Sequence, residues 1–291
     1  MSDTGEEWQV ARRRKGASRK LKSVQVSSAS IGFQEDLDVG KLLKRIRDTT
    51  SELRCKEFWQ KWKEQLLVTA SRSLAKLSEN SEDHLEKDSE GSVHQQLQCV
   101  CYGLGSFSSC VSSRYQLAML LMLLDAGQIP LQDCSVYDPI FSSAERDILR
   151  ELGLTVLTEN EEGKRLATKP TLFYLMHCGK ALYNNLLWKN WSAQSLSLVV
   201  IIGNSFTSMR ERSIEREFKQ QYSYISEAVD LCEERKLPCP SHLIDVFSDT
   251  AIISFPANNL KEIPQSNWTD SPEPQYQHCH DLEIIQRETQ I

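Results

Sequence analysis

The residues that most constrain the fold lie between Leu97 and Ser112, where an uncharged run ends in Gly103-Leu104-Gly105. A short apolar run that is bounded by glycine predicts a buried β-strand. A long helix is predicted to begin near Ser112, and because residues 115–124 are apolar on every side, it should be buried between layers. A strand, a glycine turn and a helix in this order direct backbone N–H groups at an anion. A lone G-x-G is not specific, so its interpretation depends on the rest of the chain.

The chain up to residue 255 continues to alternate between strand-like and helix-like patterns. Further strands are predicted at 134–137, 154–157, 171–176 and 196–202, and further helices at 141–152, 180–191 and 210–232. Ser248 and Asp249 separate two apolar runs, 243–247 and 250–255, which predicts a tight closing hairpin. Strands that alternate with helices form a mainly parallel sheet with both faces covered. The predicted class is an α/β three-layer Rossmann-like sandwich, methyltransferase-like in its C-terminal β-hairpin and preceded by a helical N-terminal extension.

Shifts in composition divide the chain into five segments. We expect a disordered basic tail (1–35), a helical extension (36–77), an acidic linker (78–96), a Rossmann-like domain (97–260) and a flexible C-terminal tail (261–291). In the extension, Phe58, Trp62 and Leu66 recur at helical spacing, so they should pack on the domain, with a partner-binding face as the alternative. The basic cluster at 12–20 is either a solvated tail or a signal for nuclear import or loose polyanion binding.

Composition argues against several classes of protein. The net charge of −6 is unsuited to direct binding of nucleic acid. The sequence contains no apolar stretch of about 18 residues, so no membrane span is predicted. The first residues lack the apolar core of a secretory signal. Nine cysteines without C-x-x-C spacing then indicate free thiols in a reducing compartment, so we expect a cytoplasmic location, with the nucleus as a second one. Cys99 and Cys101 are interpreted as small buried hydrophobes rather than metal ligands.

Polar and glycine residues follow the predicted strands, at the edge where such sheets bind ligands. The candidates for cofactor binding are Gly103, Gly105, Ser106, Asp138, His177 and Asn204. Gly103 and Gly105 permit positive φ and a close approach of the backbone to a ligand. Asp138 could accept hydrogen bonds from ribose hydroxyls, as an acidic residue does in dinucleotide and S-adenosylmethionine sites. The alternative is a tight strand-to-helix turn in which Asp138 caps its own turn before Pro139, because the residues after Gly105 depart from both glycine-rich patterns.

Two pairs of neighbouring residues admit more than one interpretation. His177 is either a general base or a ring that bonds a backbone carbonyl, and His177 and Cys178 are both chemically suited to be axial ligands of haem. They are not expected to form a nucleophilic pair, because adjacent residues of a strand point to opposite sides. Asn184 and Asn185 lie in the middle of a predicted helix, where Asn is unfavourable, which indicates either a site or a buried hydrogen bond.

Six segments taken together resemble the sensitivity-to-red-light-reduced (SRR1-like) family. They are C-Y-G-L-G-S-F at 101–107, Y-D-P at 137–139, H-C-G at 177–179, A-L-Y-N-N-L-L-W at 181–188, G-N-S-F at 203–206 and D-T-x-I-x-x-F-P at 249–256. The A-L-Y-N-N-L-L-W segment and the basic, tryptophan-bearing N-terminus are similar to a vertebrate member. Ile253 and Ser254 depart from the family pattern, in which a histidine and an aromatic are expected, so the hairpin should lack a histidine ligand here.

The resemblance implies a regulatory protein. Plant members are tied to light signalling and the circadian clock, and animal members to clock-gene expression and the regulation of haem biosynthesis, without an established reaction. Two hypotheses follow. The first is a non-enzymatic regulator with protein partners and a small-molecule ligand. The second is an enzyme resembling S-adenosylmethionine-dependent methyltransferases, with the cofactor at Gly103, Gly105 and Asp138. Haem at His177 or Cys178 is a third hypothesis for the ligand.

Overall fold

The structure, a computed structural model, describes residues 38–79, 97–261, 263–264, 266–269 and 271–276. The expected basic tail and nearly all of the expected acidic linker lie outside these residues, as does the chain after Tyr276. In the described ranges, no helix is both long enough and apolar enough to cross a lipid bilayer.

Seven strands in the described residues form one mixed sheet. They are β1 (Gln98–Tyr102), β2 (Cys134–Tyr137), β3 (Thr155–Val156), β4 (Thr171–Leu175), β5 (Val199–Asn204), β6 (Glu233–Lys236) and β7 (Thr250–Ser254). The spatial order is β3-β2-β1-β4-β5-β7-β6. Neighbours from β3 to β5 are parallel, whereas β7 is antiparallel to both β5 and β6. The prediction of an α/β chain with a mainly parallel sheet is therefore confirmed.

Helices connect the strands and cover both faces of the sheet. They are α1 (Val39–Arg54), α2 (Glu57–Glu79), α3 (Val111–Ala126), α4 (Ser143–Glu151), α5 (Lys180–Lys189), α6 (Ala193–Leu196), α7 (Phe206–Glu211), α8 (Glu215–Gln221), α9 (Ser223–Leu231), α10 (Ile244–Phe247), α11 (Ala257–Lys261) and α12 (Ser266–Thr269). Because side chains alternate along a strand, Cys99 and Cys101 pack on one face with α1 to α4 and α10. Val100 and Tyr102 pack on the other face, with α5 and α7 to α9. Burial raises the pKa of the Cys99 and Cys101 thiols, so both pack as neutral small hydrophobes.

The two N-terminal helices are part of the core. Phe58, Trp62 and Leu66 are buried, as their spacing predicts. The indole Nε1 of Trp62 donates a hydrogen bond to the carbonyl oxygen of Pro238 at 2.9 Å, and α1 packs along α3. The apolar stripe of the extension therefore packs on the sheet layer rather than facing a partner.

The predicted hairpin is wrong in its first strand. Residues Ile244–Phe247 form the short helix α10, and the strand that pairs with the outer side of β7 is β6. The sequence of β6 is Glu-Glu-Arg-Lys. An edge strand half exposed to water needs no apolar alternation, and charged residues protect such an edge from further pairing. Apolar patterning therefore could not reveal it.

Two other predicted elements have different bounds. The helix predicted at 210–232 is three helices, α7 to α9, because the backbone leaves the helical region at Tyr222 and α7 ends at Glu211. Strand β5 begins at Val199 and not at residue 196, because Ser192 caps the helical turn α6 just before it.

Packing against the sheet layer continues past residue 260, where the domain is predicted to end. Trp188 Nε1 donates to the Ser271 carbonyl at 3.0 Å, and the Tyr224 hydroxyl donates to the Pro272 carbonyl at 2.7 Å. Tyr276 is buried. The packed part of the described chain therefore reaches Tyr276, beyond the start of the tail that the composition predicts.

Candidate functional site

A cavity of about 360 Å³ lies at the carboxyl ends of β1, β2 and β4. It is lined by Tyr102, Gly103, Tyr137, Asp138, Pro139, Ile140, Asn160, Gly163, His177, Cys178, Gly179 and Leu182. Strand β1 has β2 on one side and β4 on the other, so the chain order reverses at this point. Open α/β sheets bind ligands at such a reversal. The edge of the sheet at which the sequence predicts ligand binding therefore contains a cavity.

The two glycines after β1 are required for different reasons. Both have positive φ, 66° at Gly103 and 79° at Gly105. A Cβ at Gly103 would lie 2.6 Å from Cys178 Sγ, and a Cβ at Gly105 would lie 2.5 Å from Ser113 Oγ. Gly103 lines the cavity, whereas Gly105 is needed because α3 packs directly against the turn.

Asp138 joins the second strand end to the glycine turn. Its Oδ2 accepts a hydrogen bond from the Gly105 N–H at 2.8 Å, and its Oδ1 accepts one from the Ile140 N–H at 2.9 Å. The second bond is the turn cap before Pro139 that the sequence predicts as an alternative. The residue is only 7% exposed and still lines the cavity. Each oxygen keeps a second lone pair, so capping the turn does not prevent a contact with a ligand.

Ser106 faces away from the cavity toward a carboxylate that the sequence did not place at the site. Glu145 Oε1 accepts bonds from Ser106 Oγ at 2.8 Å and from the Ser108 N–H at 2.9 Å. Its Oε2 accepts from the Ser142 N–H at 2.9 Å, which completes a capping box at the start of α4. Burial by itself would raise the pKa of Glu145, but the N–H donors of Ser108 and Ser142 outweigh it, and the pKa is lowered. Glu145 thus holds the glycine turn against α4.

His177 and Asn204 lie side by side at the same edge. Asn204 Oδ1 accepts the His177 N–H at 3.0 Å, and His177 has a positive φ of 53°. The ring Nε2 lies 2.9 Å from the carbonyl oxygen of Val246. A carbonyl only accepts, so this bond requires the proton on Nε2. This is the carbonyl bond predicted as the alternative to a general base. Cys178 Sγ lies 3.4 Å from the Tyr102 carbonyl oxygen.

The loop after β3 forms a further wall of the cavity. Asn160 and Gly163 line it, and the Asn160 side chain accepts the Glu162 N–H at 2.9 Å. Asn185 Nδ2 of α5 donates to the Glu162 carbonyl at 2.8 Å. Nothing in the loop sequence pointed to the cavity, and the mid-helix Asn185 was the only available signal.

Both mid-helix asparagines belong to one buried network around Tyr276. The Tyr276 hydroxyl donates to Asn185 Oδ1 at 2.8 Å, and Asn184 Nδ2 donates to the same hydroxyl at 3.2 Å. Asn184 Oδ1 also accepts the Ile225 N–H at 3.2 Å. The asparagines therefore make buried hydrogen bonds, and Asn185 links this network to the cavity loop.

Comparison with known proteins decides the family. A family model described as the SRR1 domain matches residues 72–283. The chain belongs to the SRR1-like family. It is 40% identical over 231 residues to the SRR1-like protein of Mus musculus, covering 75% of this chain and 91% of the mouse protein. The resemblance inferred from the strand-end segments is thus confirmed.

Two more distant relatives also match. The SRR1-like protein of Drosophila melanogaster is 28% identical over 277 residues, covering 92% of this chain and 90% of the fly protein. The protein Sensitivity to red light reduced 1 of Arabidopsis thaliana is 41% identical over 117 residues, covering 40% of this chain and 42% of the plant protein. No solved structure matches the chain significantly.

Proposed function

We propose that this SRR1-like protein is a regulator that binds a small molecule in the cavity at the carboxyl ends of β1, β2 and β4. The observation that carries the proposal is the convergence of three segments on one cavity. Residues 101–107, 137–139 and 177–179, which are among those that resemble the family, all contribute to its lining. Strand ends that carry these family segments and that meet at a ligand-sized cavity favour ligand binding over a purely structural role.

Regulation is favoured over catalysis because the reactive groups of the cavity already have structural partners. His177 Nε2 bonds the Val246 carbonyl, and both oxygens of Asp138 accept backbone N–H groups. The plant relative is named for reduced sensitivity to red light, which fits a signalling role. For this chain we propose a role in clock-gene expression and in the control of haem biosynthesis, exerted through protein partners in the cytoplasm and nucleus.

The alternative function is that of an S-adenosylmethionine-dependent methyltransferase. The order β3-β2-β1-β4-β5, followed by an antiparallel β7 inserted before β6, supports a three-layer Rossmann-like fold of the methyltransferase type. The cavity residues fit an adenosyl cofactor, which Gly103 and Asp138 would hold at the backbone and the ribose. Gly105 would contribute only its N–H bond to Asp138.

Haem does not fit the cavity residues. The proton of His177 Nε2 is engaged by Val246, and an axial ligand needs the lone pair of that nitrogen. The Cys178 thiol donates to the Tyr102 carbonyl oxygen at 3.4 Å, whereas a haem-ligating cysteine is a thiolate and has no proton to donate. We therefore propose no haem ligand here, and regulation of haem biosynthesis does not require haem to bind.

The experiment that tests the regulatory function blocks the cavity and leaves the fold intact. Ile140 lines the cavity and is 58% exposed, while Ile244 lies at the same edge of the sheet outside the lining and is 56% exposed. In cells that lack the protein, the natural chain and Ile244→Trp should both restore the rhythm of a clock reporter and the haem content. Ile140→Trp should restore neither. Equal rescue by both variants would refute a regulatory role for the cavity.

Calorimetric titration separates the two functions. Binding of S-adenosylmethionine that is lost in Ile140→Trp, kept in Ile244→Trp and tighter than the binding of adenosine would favour the methyltransferase. The absence of heat at about 1 mM cofactor, which corresponds to a binding free energy weaker than about −4 kcal/mol, would remove that alternative.

A further inference from the structure

The described walls of the cavity contain a carboxylate and no lysine or arginine. Asp138 is the only carboxylate among the lining residues, and neither lysine nor arginine lines the cavity in the part of the chain that the structure describes. None of the ion pairs between described residues includes Asp138. A buried carboxylate without a cation favours a ligand that supplies positive charge or hydrogen-bond donors.

The cations of the adjoining loop have acidic partners of their own. Lys164 Nζ lies 2.6 Å from Glu162 and 2.7 Å from Glu273. The Arg165 guanidinium makes two bonds of 2.8 Å to the carboxylate of Glu161. A phosphate in the cavity would have to compete with these carboxylates for the same cations, so neither side chain favours an anionic ligand.

Two other basic residues near the cavity point elsewhere. Lys180 Nζ lies 5.3 Å from the centre of the Tyr222 ring, and Arg146 donates to the Phe141 carbonyl at 2.6 Å. The start of α5 adds partial positive charge at Gly179, but a helix terminus is equivalent to about half an elementary charge. It does not offset the full negative charge of Asp138.

The remaining walls suit a partly apolar molecule with hydroxyl groups. Pro139, Ile140 and Leu182 provide apolar surface, and Tyr102 and Tyr137 line the same cavity. The volume of about 360 Å³ is near the lower end of the range for ligand sites, roughly 300–1,000 Å³. It has room for one nucleoside-sized molecule.

We propose that the cavity of this protein takes a phosphate-free nucleoside, neutral or cationic, whose ribose hydroxyls donate hydrogen bonds to Asp138. This inference rests on the proposed function, because it names the class of ligand for the same cavity. The charge of the walls distinguishes nucleosides from nucleotides, because each added phosphate brings at least one negative charge toward the Asp138 carboxylate. That carboxylate accepts two backbone N–H groups but pairs with no cation among the described residues.

Calorimetric titration of the full chain with adenosine, AMP and ATP tests the ligand class. The three probes share base and ribose and differ in phosphates alone. Like charges a few ångströms apart at a protein surface repel by about one to a few kcal/mol, so AMP should bind at least about fivefold more weakly than adenosine. ATP should bind more weakly still. AMP or ATP binding as tightly as adenosine would overturn the ligand class while leaving the cavity a binding site.

Charge removal at the same edge provides the matched variants. Asp138→Asn should bring the adenosine and AMP affinities to within about threefold of each other. Asp249→Asn removes a carboxylate outside the lining, at a positive φ of 58° that asparagine tolerates, and should leave the ratio unchanged. A ratio that persists in Asp138→Asn, or the binding of none of the three probes at about 1 mM, would also overturn the inference. The cell experiment with Ile140→Trp then decides separately whether the cavity has a function.

Discussion

Replacing Glu145 by Gln should loosen the attachment of the glycine turn to α4. The carboxylate is 1% exposed and accepts three hydrogen bonds, from Ser106 Oγ, the Ser108 N–H and the Ser142 N–H. Gln keeps a single acceptor oxygen and directs an NH₂ group at one of these donors. At least one buried N–H therefore loses its acceptor.

The expected cost follows from that count. A buried donor left without an acceptor costs about 1–3 kcal/mol, and a bond to a charged acceptor contributes about 1.5–3 kcal/mol. We therefore expect Glu145→Gln to lower the free energy of unfolding by about 2–3 kcal/mol, a large share of the roughly 5–15 kcal/mol typical of a domain.

Urea unfolding, followed by circular dichroism, measures this difference. Asp147→Asn is the matched control, because Asp147 lies on the same helix with a side chain that is 73% exposed and paired with Arg150. Exposed ion pairs contribute about 0–1 kcal/mol. If Glu145→Gln is no more destabilising than this control, the carboxylate does not hold the turn.

The same carboxylate predicts an acid sensitivity. Burial would raise the pKa of Glu145, but the N–H donors of Ser108 and Ser142 lower it below its ordinary value of 4.5. A lowered pKa in the folded state adds stability above the unfolded pKa, and this stability is lost as the pH falls through the folded value. The natural chain should therefore lose more of its free energy of unfolding between about pH 6 and pH 3 than Glu145→Gln does. Parallel pH curves would contradict the assignment.

Three further substitutions test individual contacts of the fold. Gly203→Ala should destabilise the chain by about 1–3 kcal/mol, because its Cβ would lie 2.5 Å from the Tyr183 hydroxyl oxygen. Tyr276→Phe removes the hydroxyl that bonds Asn185, so amide exchange in residues 159–167 should accelerate about tenfold if the bond contributes about 1.4 kcal/mol. Trp62→Phe removes the indole bond to a backbone carbonyl and should cost about 1–3 kcal/mol in urea unfolding.

Two of these substitutions have a matched control, and all three have a refuting outcome. Gly40→Ala changes an exposed position of α1 and should be neutral or stabilising, so an equally mild Gly203→Ala would contradict the close approach seen in β5. Tyr115→Phe removes an exposed bond to Glu52 on the opposite face of the sheet. Unchanged amide exchange in residues 159–167 of Tyr276→Phe would show that the Tyr276 hydroxyl does not stabilise the cavity loop. An unchanged free energy of unfolding in Trp62→Phe would show that the indole hydrogen bond does not contribute to stability.

The sequence predicts the buried parts of the fold better than its edges. Strands β1, β2 and β4 are apolar runs between turn residues, so their composition predicts burial on both faces. The edge strand β6 is charged, so its composition does not predict a strand. The apolar run at Ile244–Phe247 covers the sheet as a helix instead of extending it, and alternation over four residues cannot distinguish the two cases.

The candidate site was predictable in position and not in its connections. The rule that ligands bind at strand ends places Gly103, Asp138 and His177 at one edge, and all three line the cavity. The bonds from Glu145 to the glycine turn and from Asn185 to the cavity loop join residues more than twenty positions apart. Only the folded chain brings such partners together. The mid-helix position of Asn185 indicates a buried hydrogen bond, but local sequence patterns do not identify the partner.

Native mass spectrometry of the purified full chain tests the central claim most directly. The claim is that the cavity at the ends of β1, β2 and β4 holds a small molecule. The natural chain and Ile244→Trp should each carry a bound compound, or take up added adenosine, with one molecule per chain, and Ile140→Trp should carry none. Bound mass that is absent from all three proteins, or equal in all three, would contradict the account.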